Sequence, residues 1–151
     1  LEDTGLAPEM LELELTESTA MRDPERVIAQ IAPLREIGVT FAIDDFGTGH
    51  SSLSYLTRMP FDVFKIDQSF VRDMAGDDHA RVVVETILAM AKSLRLKTVA
   101  EGVETAEQYT ALRDLGATLA QGYLFGRPMP LEEMEAFARA DAGAKVSVAA
   151  G

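Results

Sequence analysis

Acidic residues stand where strand-like segments of this sequence end. Glu14 and Glu17 close the first such segment, and Asp44 and Asp45 close the second. Carboxylate oxygens suit hard cations such as Mg²⁺ or Mn²⁺ better than Zn²⁺, particularly in a chain with no Cys and only 2 His. Successive aspartates diverge, so each can serve a different ion, and two ions about 3.5–4 Å apart suit in-line attack on a phosphodiester. These residue types therefore predict a two-metal site.

Three more strand-like segments end in polar residues. Lys65 and Asp67 stand at the third, Glu101 and Glu104 follow the fourth, and Gln121 ends the fifth. The carboxyl ends of parallel strands lie at the same edge of an α/β fold, so we expect these side chains to surround a single site. Two like charges ~4 Å apart repel each other by about 4 kcal/mol at an effective dielectric constant of about 20. Raised pKa values, intervening water or bound cations must therefore reduce the repulsion between these carboxylates. One acid at a strand end is usually a solvated terminus or helix cap, but acids at four successive ends indicate a site.

The segment from Asp44 to Gly49 reads DDFGTG. Its two glycines permit positive φ, so the backbone can turn directly after the strand. By itself this is a strand-to-helix turn with Ser51 or Ser52 as the following N-cap. Its functional interpretation is a mobile loop that brings Asp45 to a metal ion.

The segments that position these residues alternate between two periodicities. Stretches in which apolar and polar residues alternate, or which are rich in β-branched residues, predict strands. Stretches with apolar residues three or four positions apart predict helices. The predicted strands are 11–15, 39–43, 62–66, 97–100 and 118–120, and the predicted helices are 23–37, 83–94, 105–115 and 130–140. Strict alternation predicts a parallel sheet with helical crossovers, either open or closed as a (β/α) barrel. The small residues of 142–151 predict a disordered tail, which leaves 1–141 as one domain.

Composition excludes several classes of protein. Apolar residues form 47% of the 151 residues and charged residues 26%, enough for one buried core. The 14 Lys and Arg against 25 Asp and Glu give a net charge of −11, which argues against binding DNA or RNA and would repel an anionic substrate unless cations intervene. No apolar run approaches the ~20 residues of a membrane span, and no signal peptide opens the chain. We therefore expect a cytoplasmic domain that does not itself enter a membrane, within a parent protein that could be membrane-anchored.

Five strings occur together in the order and spacing of the EAL-domain family. They are ELTE at 14–17, DDFGTG at 44–49 followed by SSL, KID at 65–67, AEGVE at 100–104, and QGY with GRP within 121–128. The sequence resembles that family over nearly its whole length. The resemblance implies an α/β fold, a TIM-type (β/α) barrel of which this chain holds about the last five β/α units. It also implies a cyclic di-GMP phosphodiesterase that uses two Mg²⁺ or Mn²⁺ ions to hydrolyse one phosphodiester bond and release linear pGpG.

The resemblance also implies roles for individual residues. Glu14 and Asp44 would bind the first metal ion, Asp45 the second, and Glu101 would be a metal ligand as well. Lys65 would position or deprotonate the attacking water, and either Lys65 or Glu101 would be the general base. Substrate contacts would come from Glu104, Gln121, Gly122 and Arg127, the last of which alternatively caps the barrel. Asp67 would support Lys65, and Glu17 would anchor the loop that contains Phe46, Gly47, Thr48 and Gly49.

The sequence departs from the family pattern in two ways. His50 stands where the family usually has Tyr, from which we expect little effect. The Glu-Ala-Leu string that names the family and a metal-binding Asn are absent, and a full barrel has eight strands in ~250 residues. We therefore expect either that further residues of the domain precede Leu1 or that the barrel is truncated, with an open strand edge beside 11–15. The 151-residue piece alone should be inactive and the intact domain active.

The resemblance extends to partners and leaves two alternatives open. EAL domains often pair through the segment after the DDFGTG loop, here about 51–59, and we expect fusion to upstream sensory or GGDEF-type domains. The first alternative is a catalytically inactive cyclic di-GMP receptor or scaffold, but the acids that such relatives usually lose are present here. The second is an enolase-like barrel enzyme, which needs one metal ion and no adjacent aspartates.

Overall fold

The computed structural model of the protein describes residues 1, 3–47 and 53–144. Five parallel strands form one sheet in the order β1-β2-β3-β4-β5. They are β1 Glu12–Thr16, β2 Thr40–Phe46, β3 Val63–Ile66, β4 Lys97–Ala100 and β5 Leu119–Ala120. The parallel α/β sheet predicted from the sequence is confirmed, and each strand overlaps its predicted range. Of the predicted loop and the residues after it, Thr48, Gly49, His50, Ser51 and Ser52 lie outside the described residues.

Helices connect the strands. They are α1 Glu17–Arg22, α2 Pro24–Glu36, α3 Leu53–Leu56, α4 Gln68–Asp73, α5 Asp78–Leu94, α6 Ala106–Asp114 and α7 Leu131–Ala144, and a 3₁₀ turn, Pro8–Met10, precedes β1. α5 begins before its apolar stripe because the Asp77 carboxylate caps it, accepting a hydrogen bond from the His79 N–H at 2.8 Å. α7 continues through residues 142–144, which were predicted to begin the tail, and residues 145–151 lie outside the described part of the chain, so the rest of the predicted tail stays a prediction. No helix in the described part has the length and apolar character needed to cross a membrane.

The register of the sheet puts several polar residues on one face. Glu14 pairs with Ala42, and Ala42 pairs with Val63. Partners in parallel strands point to the same side of the sheet, and side chains alternate along each strand. Asp44, two residues beyond Ala42, and Lys65, two residues beyond Val63, therefore lie on the same face as Glu14.

β2 contains an extra residue at this point. Between the pairs Ile43–Phe64 and Phe46–Ile66, β2 has two residues where β3 has only Lys65. The extra residue makes a bulge, which bends a strand and redirects a side chain. The prediction that this strand ends at residue 43 was wrong, because two adjacent aspartates look like the end of a strand although they lie within it.

The core lies on the face of the sheet opposite Lys65. Phe64 and Ile66 have no exposed area, and the Phe64 ring stacks on Phe46 with the ring centroids 4.4 Å apart. Val84 and Ile87 of α5 pack in the same cluster. Burial of these large side chains fixes β2 and β3 against α5 and so fixes the strand ends that carry the polar residues.

The two outer strands are less buried than the centre of the sheet. Among the described residues, β1 pairs only with β2, and β5 pairs only with β4. Leu13 of β1 is 37% exposed and Leu119 of β5 is 55% exposed. The apolar side chains Leu131 and Phe137 of α7 are also exposed. Both edges of the sheet therefore present apolar surface.

Candidate active site

Lys65 lies among three carboxylates at the carboxyl ends of the strands. It is only 7% exposed. Its Nζ is 2.7 Å from Glu14 Oε2, 2.9 Å from Glu101 Oε1 and 3.2 Å from Asp44 Oδ1. The structure thus brings together four of the predicted site residues, which come from β1, β2, β3 and the residue after β4.

The alternation of side chains explains why Glu101 joins this cluster. Lys65 pairs with Val99, and Glu101 stands two residues beyond Val99 on the same face. The neighbours of Lys65 in β3, Phe64 and Ile66, point into the core on the opposite side. Lys65 is therefore a buried and paired cation, not a surface lysine that extends its ammonium into water.

Burial opposes the charge on Lys65, and the three carboxylates favour it. Desolvation alone would lower the pKa of the Lys65 ammonium, but hydrogen bonds to Glu101, Glu14 and Asp44 outweigh it and raise the pKa above its ordinary value. Burial also raises the pKa of Glu101, an effect that Lys65 opposes and that Asp44 and Glu14 reinforce. The cluster is held by one cation that separates acids which would otherwise repel each other.

Asp45 lies beside Asp67 in a second acidic pair. The φ of Asp45 is 54°, in the left-handed region that residues other than glycine rarely adopt. Burial raises the pKa of Asp45, and the charges of Asp44 and Asp67 raise it further. Asp67 caps α4, because its Oδ1 accepts hydrogen bonds from the Ser69 N–H at 3.0 Å and from the Ser69 hydroxyl. This pair would also favour a nearby cation.

Glu17 fixes the backbone at the start of the DDFGTG turn. It is 2% exposed, and its Oε2 accepts a hydrogen bond from the Gly47 N–H at 2.9 Å. Gly47 has a φ of 101°, and a Cβ there would lie 3.0 Å from Ile87 Cδ1 and 3.1 Å from the Phe70 ring. The positive φ favours glycine at this position, and a Cβ there would press against both side chains. Phe46, directly before it, anchors the turn in the core.

A pocket of about 260 Å³ opens beside Glu101. Its lining residues come from the starts of the loops and helices that follow β3, β4 and β5: Gln68, Glu101, Gly102, Glu104, Gln121, Gly122 and Tyr123. Gly122 is essential to its shape, because a Cβ there would lie 2.2 Å from the Val103 carbonyl oxygen. The structure thus places the predicted substrate residues Glu104, Gln121 and Gly122 around one pocket.

Arg127 lies at a different pocket. Its guanidinium stands over the ring of Tyr123, with Cζ 4.3 Å from the ring centroid. The second pocket has a volume of about 530 Å³ and includes the apolar side chains of Met134 and Phe137. Tyr123 lines both pockets, so Arg127 is connected to the first through this ring.

Three residues of the smaller pocket, Gln68, Gly102 and Tyr123, were not among the predicted site residues. Gln68 follows directly after the KID string and begins α4, so its position at the rim could have been inferred from its neighbour Asp67. Gly102 and Tyr123 occur in the sequence motifs without a predicted role. No periodic pattern distinguishes any of the three, because all belong to the short segments that follow strands.

Most of the chain matches a known protein family. The family model described as "EAL domain" matches residues 1–128. The chain belongs to the EAL domain family. Cyclic di-GMP phosphodiesterase NbdA of Pseudomonas aeruginosa is 49% identical over 140 residues, which cover 93% of this chain and 18% of that protein.

Solved structures of similar proteins share the fold. The PaMucR phosphodiesterase, solved as a complex with c-di-GMP, has a TM-score of 0.87 and 47% identity, over 89% of this chain and 54% of that one. BlrP1 of Klebsiella pneumoniae, solved with manganese and cy-diGMP at pH 9.0, has a TM-score of 0.78 and 38% identity, over 85% of this chain and 33% of that one. This EAL chain spans under a fifth of NbdA and about half of the solved PaMucR chain. It is therefore part of a TIM-type barrel, as the family resemblance implies.

The acidic residues of this EAL chain fit a divalent cation by their chemistry. Within the described ranges, no three carboxylate or imidazole groups are already arranged to hold a metal ion. The oxygens of Glu14, Asp44 and Glu101 nevertheless converge on one positive charge, the Lys65 ammonium. An all-carboxylate set of this kind is what hard divalent cations prefer.

Proposed function

We propose that this EAL chain is part of a metal-dependent phosphodiesterase that hydrolyses one bond of cyclic di-GMP and releases linear pGpG. The observation that carries the proposal is the convergence of Glu14, Asp44 and Glu101 on Lys65 at the strand ends, where barrel enzymes keep their active sites. The names of its relatives support the substrate, since NbdA is named a cyclic di-GMP phosphodiesterase and PaMucR was solved with c-di-GMP.

The intact site would hold two Mg²⁺ or Mn²⁺ ions. Glu14 and Asp44 would bind the first and Asp45 the second, with Glu101 as a further ligand. Such ions, when bound, supply positive charge to the phosphate oxygens and to the attacking water. The formal charge of −11 supports this assignment, because without cations the chain would repel an anionic dinucleotide.

The side chains of this protein would orient the reacting groups. Lys65 donates hydrogen bonds at the centre of the cluster, where it would position the attacking water. Glu101 would accept the proton from that water, because the Lys65 ammonium beside it has no lone pair to accept one; Lys65 Nζ and Glu101 Oε1 lie 2.9 Å apart. Asp67 would support the cluster from the start of α4. Glu17 would hold the DDFGTG turn through the Gly47 N–H.

The dinucleotide would extend from the cluster into the neighbouring pocket. Glu104, Gln121 and Gly122 line that pocket together with Glu101. Arg127 would present its guanidinium to a phosphate from its place over Tyr123.

The test is hydrolysis of cyclic di-GMP in the presence of Mg²⁺ or Mn²⁺, with the product identified by mass spectrometry. We expect a longer chain that includes a complete EAL barrel to release pGpG and a metal chelator to abolish the reaction. The 151-residue chain alone should be inactive, because it spans about half of the solved PaMucR chain. Turnover by the 151-residue chain would contradict this last point. Binding of cyclic di-GMP without metal and without product would instead identify an inactive receptor.

We also propose that the segment after the turn, about 51–59, forms a homodimer contact. In its described part, Leu56 and Met59 are buried, whereas Arg58 is exposed and lies 5.8 Å from the centroid of the Tyr55 ring. Light scattering should give twice the chain mass, and the double variant Tyr55→Ala, Arg58→Ala should give the monomer mass. A monomer before substitution would reject this contact.

A further inference from the structure

A lysine occupies the middle of the carboxylate cluster, where the acids would be expected to hold a metal ion. One oxygen from each of Glu14, Asp44 and Glu101 lies within 3.2 Å of Lys65 Nζ. These three acids come from different parts of the chain, and Lys65 is the group that links them. The metal ligands assigned above are thus engaged by a charge that belongs to the protein itself.

We propose that Lys65 competes with the metal ion for these carboxylates. Its ammonium holds them together in the metal-free protein and leaves at least two of them when a divalent cation binds. This inference rests on the proposed metal dependence and extends it. Metal binding becomes an exchange of one cation for another, not the filling of an open site.

The shared oxygens explain why the two cations compete. An ammonium group has three donors, and here they serve three oxygens on three separate segments. A Mg²⁺ ion takes carboxylate oxygens at about 2.0–2.1 Å. An ion bound to the same oxygens would lie against the ammonium, and the two positive charges would repel each other at short range.

The competition has a structural benefit in the metal-free state. Acids brought close together in a partly buried site are unfavourable unless an opposite charge accompanies them. Lys65 supplies that charge, so the cluster can form before any metal ion arrives. Its four-carbon stem also allows Nζ to move while the backbone stays paired with Val99 in β4.

The test compares two variants that each remove one positive charge from the full-length protein. Lys65→Gln removes the internal competitor, and Arg81→Gln removes an exposed charge that pairs with Glu85 at 3.0 Å on α5. Calorimetric titration with Mn²⁺ should show about tenfold tighter binding to Lys65→Gln than to the unsubstituted protein, because removing a neighbouring positive charge favours a cation. Arg81→Gln should bind Mn²⁺ as the unsubstituted protein does. Thermal melting should show Lys65→Gln less stable without metal and more strongly stabilised by it.

Unchanged or weaker Mn²⁺ binding by Lys65→Gln would overturn the inference, since Lys65 would then only brace the ligands. Failure of all three proteins to bind Mn²⁺ would instead overturn the proposed metal dependence. Crystal structures of the unsubstituted protein with and without Mn²⁺ decide the case if the variant does not fold. We expect Nζ to lie beyond ~3.5 Å from at least two of the three carboxylates when metal is bound, and retention of all three contacts would reject the proposal.

Discussion

The cluster around Lys65 and the pocket beside Gln121 are neighbours that the chain builds in different ways. In the cluster, the register of β1 to β4, together with the bulge in β2, sets the positions of the residues, and the side chains supply the charge. In the pocket, segments that follow the strands supply the wall, and close backbone packing at Gly122 supplies the shape. The comparison indicates that the sheet fixes where charge is placed, whereas the loops fix what can fit beside it.

The largest loss of stability should come from the core beneath the cluster. Phe64→Ala removes a fully buried ring that stacks on Phe46, and we expect it to lower the free energy of unfolding by about 3–5 kcal/mol. Phe125→Ala, at a 42% exposed ring in the wall of the larger, neighbouring pocket, should cost only about 0.5–1.5 kcal/mol through loss of its edge contact with Tyr109. Chemical denaturation of both variants measures the difference. Equal losses would show that the two regions are equally well packed.

The next largest effect should be on chemistry within the cluster. Glu101→Gln keeps the shape of the side chain and removes its charge, so kcat/KM for cyclic di-GMP in an intact EAL domain should fall about 10²–10³-fold. Glu36→Gln, at an exposed end of α2, is the matched control and should leave kcat/KM unchanged. A fall in kcat/KM of less than tenfold for Glu101→Gln would show that Glu101 does not take part in the reaction.

A smaller effect should follow from closing the space at Gly122. Gly122→Ala puts a Cβ 2.2 Å from the Val103 carbonyl oxygen, which is backbone and cannot rotate away. We expect a loss of about 1–3 kcal/mol in the free energy of unfolding. At Gly76 a Cβ would meet nothing within 4 Å, so Gly76→Ala should change stability by less than about 0.5 kcal/mol. Similar melting temperatures for the two variants would mean that the Val103 contact is not restrictive.

The smallest effect on stability should come from Arg127. Arg127→Met removes the guanidinium over Tyr123 and should cost about 0.5–1 kcal/mol, because the pair is exposed. The same variant should raise KM for cyclic di-GMP if the guanidinium meets a phosphate. If KM is unchanged and stability falls as expected, Arg127 has the alternative role, which is to cap the barrel.

Much of the fold was predictable because the sequence shows the order of the strands along the chain and the alternation of side chains within each strand. The positions of Glu14, Asp44 and Lys65 on one face follow from alternation once the strands are paired in parallel and in this register. The short helices were not predictable in the same way. α1 and α4 have 6 residues each, too few to show a repeating apolar stripe, and their starts depend on caps such as Asp67.

The finer structure of the site needed three-dimensional information. The family resemblance implied a role for Lys65 in handling water, but not that its ammonium would contact three carboxylates at once. That arrangement depends on the spacing between strands and on burial, which no local pattern encodes. The pocket residues Gln68, Gly102 and Tyr123 were missed for the same reason, since distant loops bring them together.

The extra residue in β2 has a genetic consequence. The two aspartates of β2 lie opposite Lys65, whereas the residues on either side form the ordinary pairs Ile43–Phe64 and Phe46–Ile66. Loss of the single codon for Asp45 would therefore restore an uninterrupted ladder and remove one acid without disturbing the flanking pairs. Natural variants with that deletion would keep the architecture and lose the second carboxylate. A gap at the position of Asp45 in an alignment would therefore mark altered chemistry among otherwise similar chains.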